Sequence, residues 1–299
     1  PKRRTLQITL PNAISANTSV ATGDVLWIDC GETPLILTWS VWHTLVGKMP
    51  FDTTISLANE HETSPATTER IITETARDAV VLVRSGDCFA VAFGNTVDTA
   101  IARAEKALTQ NIERVVATRL LWYDKFDKPL NNQRLRLANK CLSVMKVNTL
   151  APEATFQDYW STPDRVPHRN LWLWDSVFHA LAMTQVDPTL AWYFLKSVLD
   201  MQADDGMIPI SGSADGGRAP GMTQPPLLAW GIWENYRVTQ NRAQLQYALP
   251  RLDAYLRWNL ENRDSNGNHL LEWDIEEDEL CRSGESGMDN SPRFDEALL

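Results

Sequence analysis

Around Thr96 the period of the apolar residues changes, and that change constrains the fold more than any other feature of the chain. Before it, β-branched and aromatic residues come in short runs closed by turn clusters. Residues 24–30 and 35–42 flank Gly31-Glu32-Thr33-Pro34, and residues 79–84 and 88–93 flank Ser85-Gly86-Asp87, a hairpin signal. Residues 6–10 add a short strand-like run. After it, residues 98–108 form a good helix by propensity. From about residue 131 the pattern is almost wholly helical, with helices expected over 138–149, 189–201, 226–236 and 245–260. Asp187-Pro188 supplies a cap and a first-turn proline, while Pro250 should kink the last helix or split it.

The chain therefore reads as an α+β multidomain protein. Residues 1–95 form a β-rich, sandwich-like region, 96–134 a helical linker, and 135–299 a helical domain. In that domain helices come in pairs about 50 residues apart with long polar loops between, which suits an α/α toroid whose loops at one end form a cleft. An ordinary helical bundle is the plainer reading. The two differ in whether the loops that carry chemistry converge.

Bulk properties narrow the function. An apolar share of 43% and a charged share of 22% describe an ordinary globular chain with ample core. A net charge of −10 argues against nucleic acid or an anionic membrane surface as partner. No apolar run approaches the roughly 20 residues of a membrane span. The N-terminus lacks a signal-peptide apolar core, so it does not reveal the compartment; a cytoplasmic setting is favoured over a periplasmic or secreted one. Cys30, Cys88, Cys141 and Cys281 have no ligand-like spacing, so reduced thiols are expected and a zinc site is not. The acidic run 272–279 lacks the glycine and alternating ligands of a calcium loop, and no metal is assigned to it.

Of the twelve tryptophans, eight lie between Trp160 and Trp273. Most belong in a core, yet a concentration amid carboxylates is also what a sugar-binding cleft needs, because pyranose rings stack on flat aromatic faces. Three segments in this half sit at or just before expected helix starts. They are His168-Arg169-Asn-Leu-Trp172-Leu-Trp174-Asp175-Ser176, Gln224-Pro225-Pro226, and Glu285-Ser-Gly-Met-Asp289-Asn-Ser-Pro-Arg293. The last places two carboxylates and an arginine around a glycine turn, a setting in which one carboxyl can be tuned as a general acid. Taken singly, Asp175 reads equally well as an N-cap, Gln224 as a solvated loop amide, and the acidic loop as a partner of a helix dipole.

Together and in this order, the segments resemble the inverting α-glycosidases with an (α/α)6 barrel. The likeness is strongest to glycoside hydrolase family 63 and the mannosylglycerate and glucosylglycerate hydrolases grouped with it, with family 37 trehalases more distant. The resemblance covers roughly residues 135–299. It implies part of an (α/α)6 toroid behind a β-sandwich, Asp289 as general acid, and Trp172, Trp174, Asp175 and Gln224 lining the sugar subsite. Glu285 and Arg293 would shape the loop or the electrostatics of the acid beside the substrate. The expected reaction is hydrolysis of an α-linked glucosyl or mannosyl bond with inversion, on a small carbohydrate and without a cofactor. The family's general base lies beyond residue 299. A full ring needs on the order of 350–450 residues, judged from helix and loop lengths, so the chain is expected to be an incomplete barrel, inactive by itself. A phosphorylase on a similar barrel and a non-catalytic sugar-binding or structural module stay open as alternatives.

Overall fold

The computed structural model describes residues 4–11, 17–59, 62–63, 70–74, 78–125, 131–165, 169–219, 221–274, 283–289 and 291. It is a mixed helix and sheet protein that divides into two compact units, residues 1–144 and 145–299.

The first unit is built on antiparallel strands β1 (Arg4–Thr9), β2 (Asn17–Ala21), β3 (Val25–Asp29), β4 (Leu35–Val41), β5 (Thr44–Lys48), β6 (Thr54–Asn59), β7 (Glu62–Thr63), β8 (Arg70–Glu74), β9 (Ala79–Ser85) and β10 (Cys88–Gly94). A seven-stranded sheet has the order β2-β3-β4-β5-β10-β9-β8, and a three-stranded sheet the order β1-β6-β7. Strand β9 is an almost unbroken apolar run because both of its faces are covered. Val80 and Leu82, with Phe89 and Val91, join Ile55, Leu57 and the half-buried Leu6 and Ile8 of the small sheet. Ala79, Val81 and Val83, with Ala90 and Ala92, face the other way, onto helices α1 (Val97–Leu108) and α2 (Ile112–Leu120). The β9–β10 turn closes at Gly86, whose φ of 61° costs glycine least. Gly47 has no room for a side chain, since a Cβ there would lie 2.3 Å from the Phe89 ring and 2.6 Å from the Ile36 carbonyl.

The helical segment after the strands is tied to this sheet. Ala100, Ala104 and Ala107 form the inward stripe of α1, small enough to let it lie close. Arg119 of α2 donates to the Trp39 and Ser40 carbonyls. Helix α3 (Asn132–Val147) crosses the division between the units, and its Ser143 hydroxyl accepts the Gly23 N–H at 2.6 Å. Cys30, Cys88 and Cys141 are free thiols, and Cys281 lies outside the described residues.

The second unit opens with short strands β11 (Thr149–Leu150) and β12 (Trp160–Ser161), which pair, and β13 (Leu171–Trp172). Then come α4 (Leu173–Met183), α5 (Pro188–Leu199), strand β14 (Ser211–Gly212), α6 (Leu228–Thr239) and α7 (Arg242–Asn262). Asp187 caps α5 through the Leu190 N–H, with Pro188 at the first position. Helix α7 runs through Pro250 as one piece, so the proline does not split it. Ala248, Leu252, Tyr255 and Trp258 are buried on both sides of the proline, and that packing outweighs one lost backbone hydrogen bond. Helix α4 packs against both α5 and α6, and α6 against α7. Among the described residues no helix is long and apolar enough to cross a membrane.

Candidate active site

The site begins where a strand runs directly into a helix. Strand β13 pairs with β14, Trp172 opposite Ser211, and the Leu173 N–H continues the pairing to the Ile210 carbonyl at 3.0 Å. Trp172 is thereby extended and occupies the N-cap position of α4 with no side chain able to cap. Asp175, readable as that cap, instead stands in the first turn, half-buried. Burial raises its carboxyl pKa above the ordinary aspartate range, its own backbone N–H works the other way, and the charge of Asp289 adds to the rise.

The missing cap comes from elsewhere in the chain. Gln224, 4% exposed, accepts the Trp174 N–H on its Oε1 at 3.1 Å and so satisfies one of the orphan donors of α4. It is a buried structural amide, not a solvated one. Its own segment is fastened from beneath. The Thr223 hydroxyl donates to the Ile208 carbonyl at 2.7 Å, and the Tyr255 hydroxyl lies 2.6 Å from Thr223 Oγ1 and 2.9 Å from the Gln224 carbonyl. Burial pushes the Tyr255 phenol up to about 12, so it stays a donor at any ordinary pH.

The third segment is a self-bonded turn. Ser283 at φ 67° and Gly287 at φ 72° bracket a 3-10 turn, Gly284–Ser286. The Ser286 hydroxyl donates to the Ser283 carbonyl and accepts the Met288 N–H, while the Ser283 hydroxyl donates to the Met288 carbonyl. Gly287 rests on Trp174 so closely that a Cβ would fall 2.3 Å from the indole ring. Glycine is thus required twice over, by conformation and by contact. Asp289 follows on the exposed side.

Glu285 points the opposite way. It is fully buried and holds Arg263 through two hydrogen bonds, Nε to Oε1 at 2.5 Å and Nη2 to Oε2 at 3.1 Å. Burial raises its pKa despite the opposing guanidinium. Glu285 therefore ties the turn to the end of α7 and is closed off from solvent. Since its charge is matched, the carboxylate coupled to Asp289 across the site is Asp175. Asp289 is exposed, and the Trp174 ring rests against Gly287, two residues before it. His168, Asn290 and Arg293 lie outside the described residues.

All three motif segments meet at Trp174, which touches Gln224 through its backbone and Gly287 through its ring. Arg263, Tyr255 and, one turn along α4 from Asp175, His179 were not read from the sequence. His179 has Nδ1 2.9 Å from the Ser161 hydroxyl, and burial pushes its pKa down to about 4. Its helical spacing from Asp175 was a visible signal. Arg263 carried none, since an arginine just past a helix end reads as surface. Among the described residues no group of three His, Cys, Asp or Glu side chains is placed to hold a metal ion.

The second half of the chain is similar in sequence to known glycoside hydrolases. The family model described as the mannosylglycerate hydrolase MGH1-like glycoside hydrolase domain matches residues 168–299, the stretch that carries all three segments. The likeness to that family is confined to residues 168–299. The chain is 35% identical over 150 residues to a mannosylglycerate hydrolase of Thermus thermophilus, covering 42% of this chain and 34% of that one. It is 28% identical over 194 residues to a glucosylglycerate hydrolase of Mycolicibacterium hassiacum, covering 54% and 40%. A crystal structure of a family 63 mannosylglycerate hydrolase from Thermus thermophilus, in complex with glucose, matches at 30% identity and a TM-score of 0.44, over 53% of this chain and 42% of that one. The chain spans about a third of the length of the Thermus relative that it matches.

Proposed function

We propose that the protein carrying this chain is an inverting glycoside hydrolase acting on an α-linked glucosyl or mannosyl substrate. Relatives are named for hydrolysis of mannosylglycerate and glucosylglycerate, which makes a small sugar-acid glycoside the first substrate to try. The observation that carries the reading is the meeting of Trp174, Gln224 and the Glu285–Asp289 turn in a region of matching family sequence. Asp289 is the general acid in this reading, exposed where a leaving oxygen can reach it. Asp175 and the faces of Trp172 and Trp174 hold the sugar, and Gln224 holds the helix start that presents them. Arg293 is assigned to the acid loop. Inversion requires a second carboxylate, roughly 6.5–9.5 Å from the acid, to activate water on the opposite face of the ring. No such residue is assigned in this chain. The hairpins α4–α5 and α6–α7 are in this reading members of an (α/α)6 toroid.

The test is turnover by the full-length protein on mannosylglycerate, glucosylglycerate and simple α-glucosides and α-mannosides, with the first-formed anomer followed by proton NMR. Release of the β-anomer first supports the proposal. Turnover that depends on phosphate would make the protein a phosphorylase, and binding without turnover would make it a sugar-binding module.

A further inference from the structure

We propose that Arg263 is a positioning residue for the general acid, acting through Glu285; this rests on the glycosidase reading above. The guanidinium joins three separate segments. Nη1 donates to the Asn262 carbonyl at the end of α7, and Nη2 donates to the Gly221 carbonyl at 2.8 Å, just before the Gln224 segment. Nε and Nη2 together hold the Glu285 carboxylate, to which the Thr223 backbone N–H also donates. The guanidinium lies over the Trp258 ring, its carbon 4.9 Å from the centroid, which fixes its plane. Its side chain is 14% exposed, and that of Glu285 is 0% exposed.

The geometry gives this pair two duties that differ from plain stability. One is placement. Two of the contacts that hold the turn at 283–289 are Gly287 on Trp174 and Glu285 on Arg263. The first sets how close the turn lies and the second sets its rotation about that contact. Asp289 is only four residues beyond Glu285, so a rotation of the turn is passed on to its carboxyl. The other duty is charge. A buried, unpaired Glu285 would add a negative charge four residues from Asp289, whereas the ion pair presents none. A lysine keeps the charge but not the planar two-pronged grip.

The test uses the full-length protein and two substrates of one sugar, an alkyl α-glycoside and the corresponding α-glycosyl fluoride. Fluoride departs with little help from an acid, so a defect in acid placement appears on the first substrate and is relieved on the second. Asp289→Asn is the reference for that pattern. Arg263→Gln should lower kcat on the alkyl glycoside by about 10²-fold, the cost of a misplacement near 1 Å. KM should change by less than about 3-fold, because ground-state sugar contacts stay in place. Turnover of the fluoride should stay within about 10-fold of the parent, since it bypasses the acid. Arg263→Lys should fall between Gln and the parent. Glu285→Gln leaves Arg263 cationic with only Asp274, at 4.0 Å, to offset it, and should move the alkaline limb of the pH profile to lower pH. If Arg263→Gln does not fold, Arg263→Lys and Glu285→Gln carry the same substrate comparison. Equal losses on both substrates, or no loss, while Asp289→Asn keeps its leaving-group dependence, would overturn the role of Arg263 alone. If Asp289→Asn itself shows no such dependence, the assignment of the acid falls and this inference with it.

Discussion

The two units of the molecule bury different kinds of side chain. In the first, both faces of a seven-stranded sheet are lined by Val, Leu, Ile, Ala and Phe, and the described buried polar side chains are Thr38, Thr44, Thr53, Thr73 and Ser143. The second also has an apolar core, but it buries Ser176, Thr223, Gln224, Asn235, Asn259, Ser286 and a charged Glu285. Burying such groups costs free energy unless each finds a partner. Here the partners are found between segments far apart in sequence: Gln224 on Trp174, Tyr255 on Thr223, Asn235 on Thr184 and Pro188, Arg263 on Glu285. An apolar interior fixes a shape. A polar one fixes individual atoms, at a cost in stability, and atoms are what a catalytic site has to fix. Substitutions in the first unit should therefore change stability alone, and those around Trp174 should change turnover or pH response out of proportion to stability.

The sharpest break in that comparison is at Asp289. Its side chain is exposed, so Asp289→Asn should leave the melting temperature unchanged. Turnover of an alkyl glycoside should drop by about 10²–10⁴-fold, the usual contribution of a general acid. Near-normal turnover would remove Asp289 from the chemistry. The opposite pattern is expected at Phe89, which is fully buried between the sheets against Gly47. Phe89→Ala should destabilise the protein by about 3–5 kcal/mol in urea unfolding, leaving kcat per folded molecule as it was. A fall in kcat there would mean that the two units do not divide the work as their interiors suggest.

The same contrast decides what could be read from the sequence. The β9–β10 hairpin was legible because a glycine turn between two apolar runs is local information. The start of α5 was legible for the same reason, with cap and proline side by side. The surroundings of the site were not. Asp175 resembles an N-cap until β13 pairs with β14 and moves the helix start to Trp172. The cap that α4 does receive comes from Gln224, 50 residues away in sequence, and Arg263 reaches Glu285 across 22. The motif spacing marked Trp174, Gln224, Glu285 and Asp289. It could not mark those that hold them, because side-chain pairing at long range leaves no period in the sequence.

His179 offers a pH test of the polar interior. Its pKa is pushed from 6.5 to about 4 by burial, so it is neutral in the native protein where the unfolded chain would take a proton. A depressed histidine contributes stability that is complete above pH 6.5 and is lost as the pH falls toward 4. At about 1.4 kcal/mol per pKa unit the loss is on the order of 3–4 kcal/mol. His179→Gln should flatten the stability curve across that window while Phe89→Ala shifts it uniformly. A His179→Gln curve parallel to the parent's would show that the imidazole is free to protonate in place.

The smallest expected effect, and the one that separates holding a ligand from holding the fold, is at Asp175. Burial and then the charge of Asp289 raise its native pKa, so its ionised form is the less favoured one in the folded protein. A raised carboxyl contributes stability that is present below its unfolded pKa of 3.8 and lost as the pH rises through the native value. Asp175→Asn cannot ionise and escapes that loss. It should be equal to the parent in stability near pH 3 and more stable at pH 7, by under about 0.5 kcal/mol, as befits a half-buried site. Sugar affinity should move the other way, with KM rising more than kcat falls, because a carboxylate that grips hydroxyls does so in ground and transition states alike. Asp289→Asn should lower the pKa of Asp175 by removing the like charge, and so shrink the stability gained on adding Asp175→Asn. A loss of stability at pH 7 in Asp175→Asn would mean that this carboxylate holds the protein together, and the sugar-gripping role would have to pass to another residue.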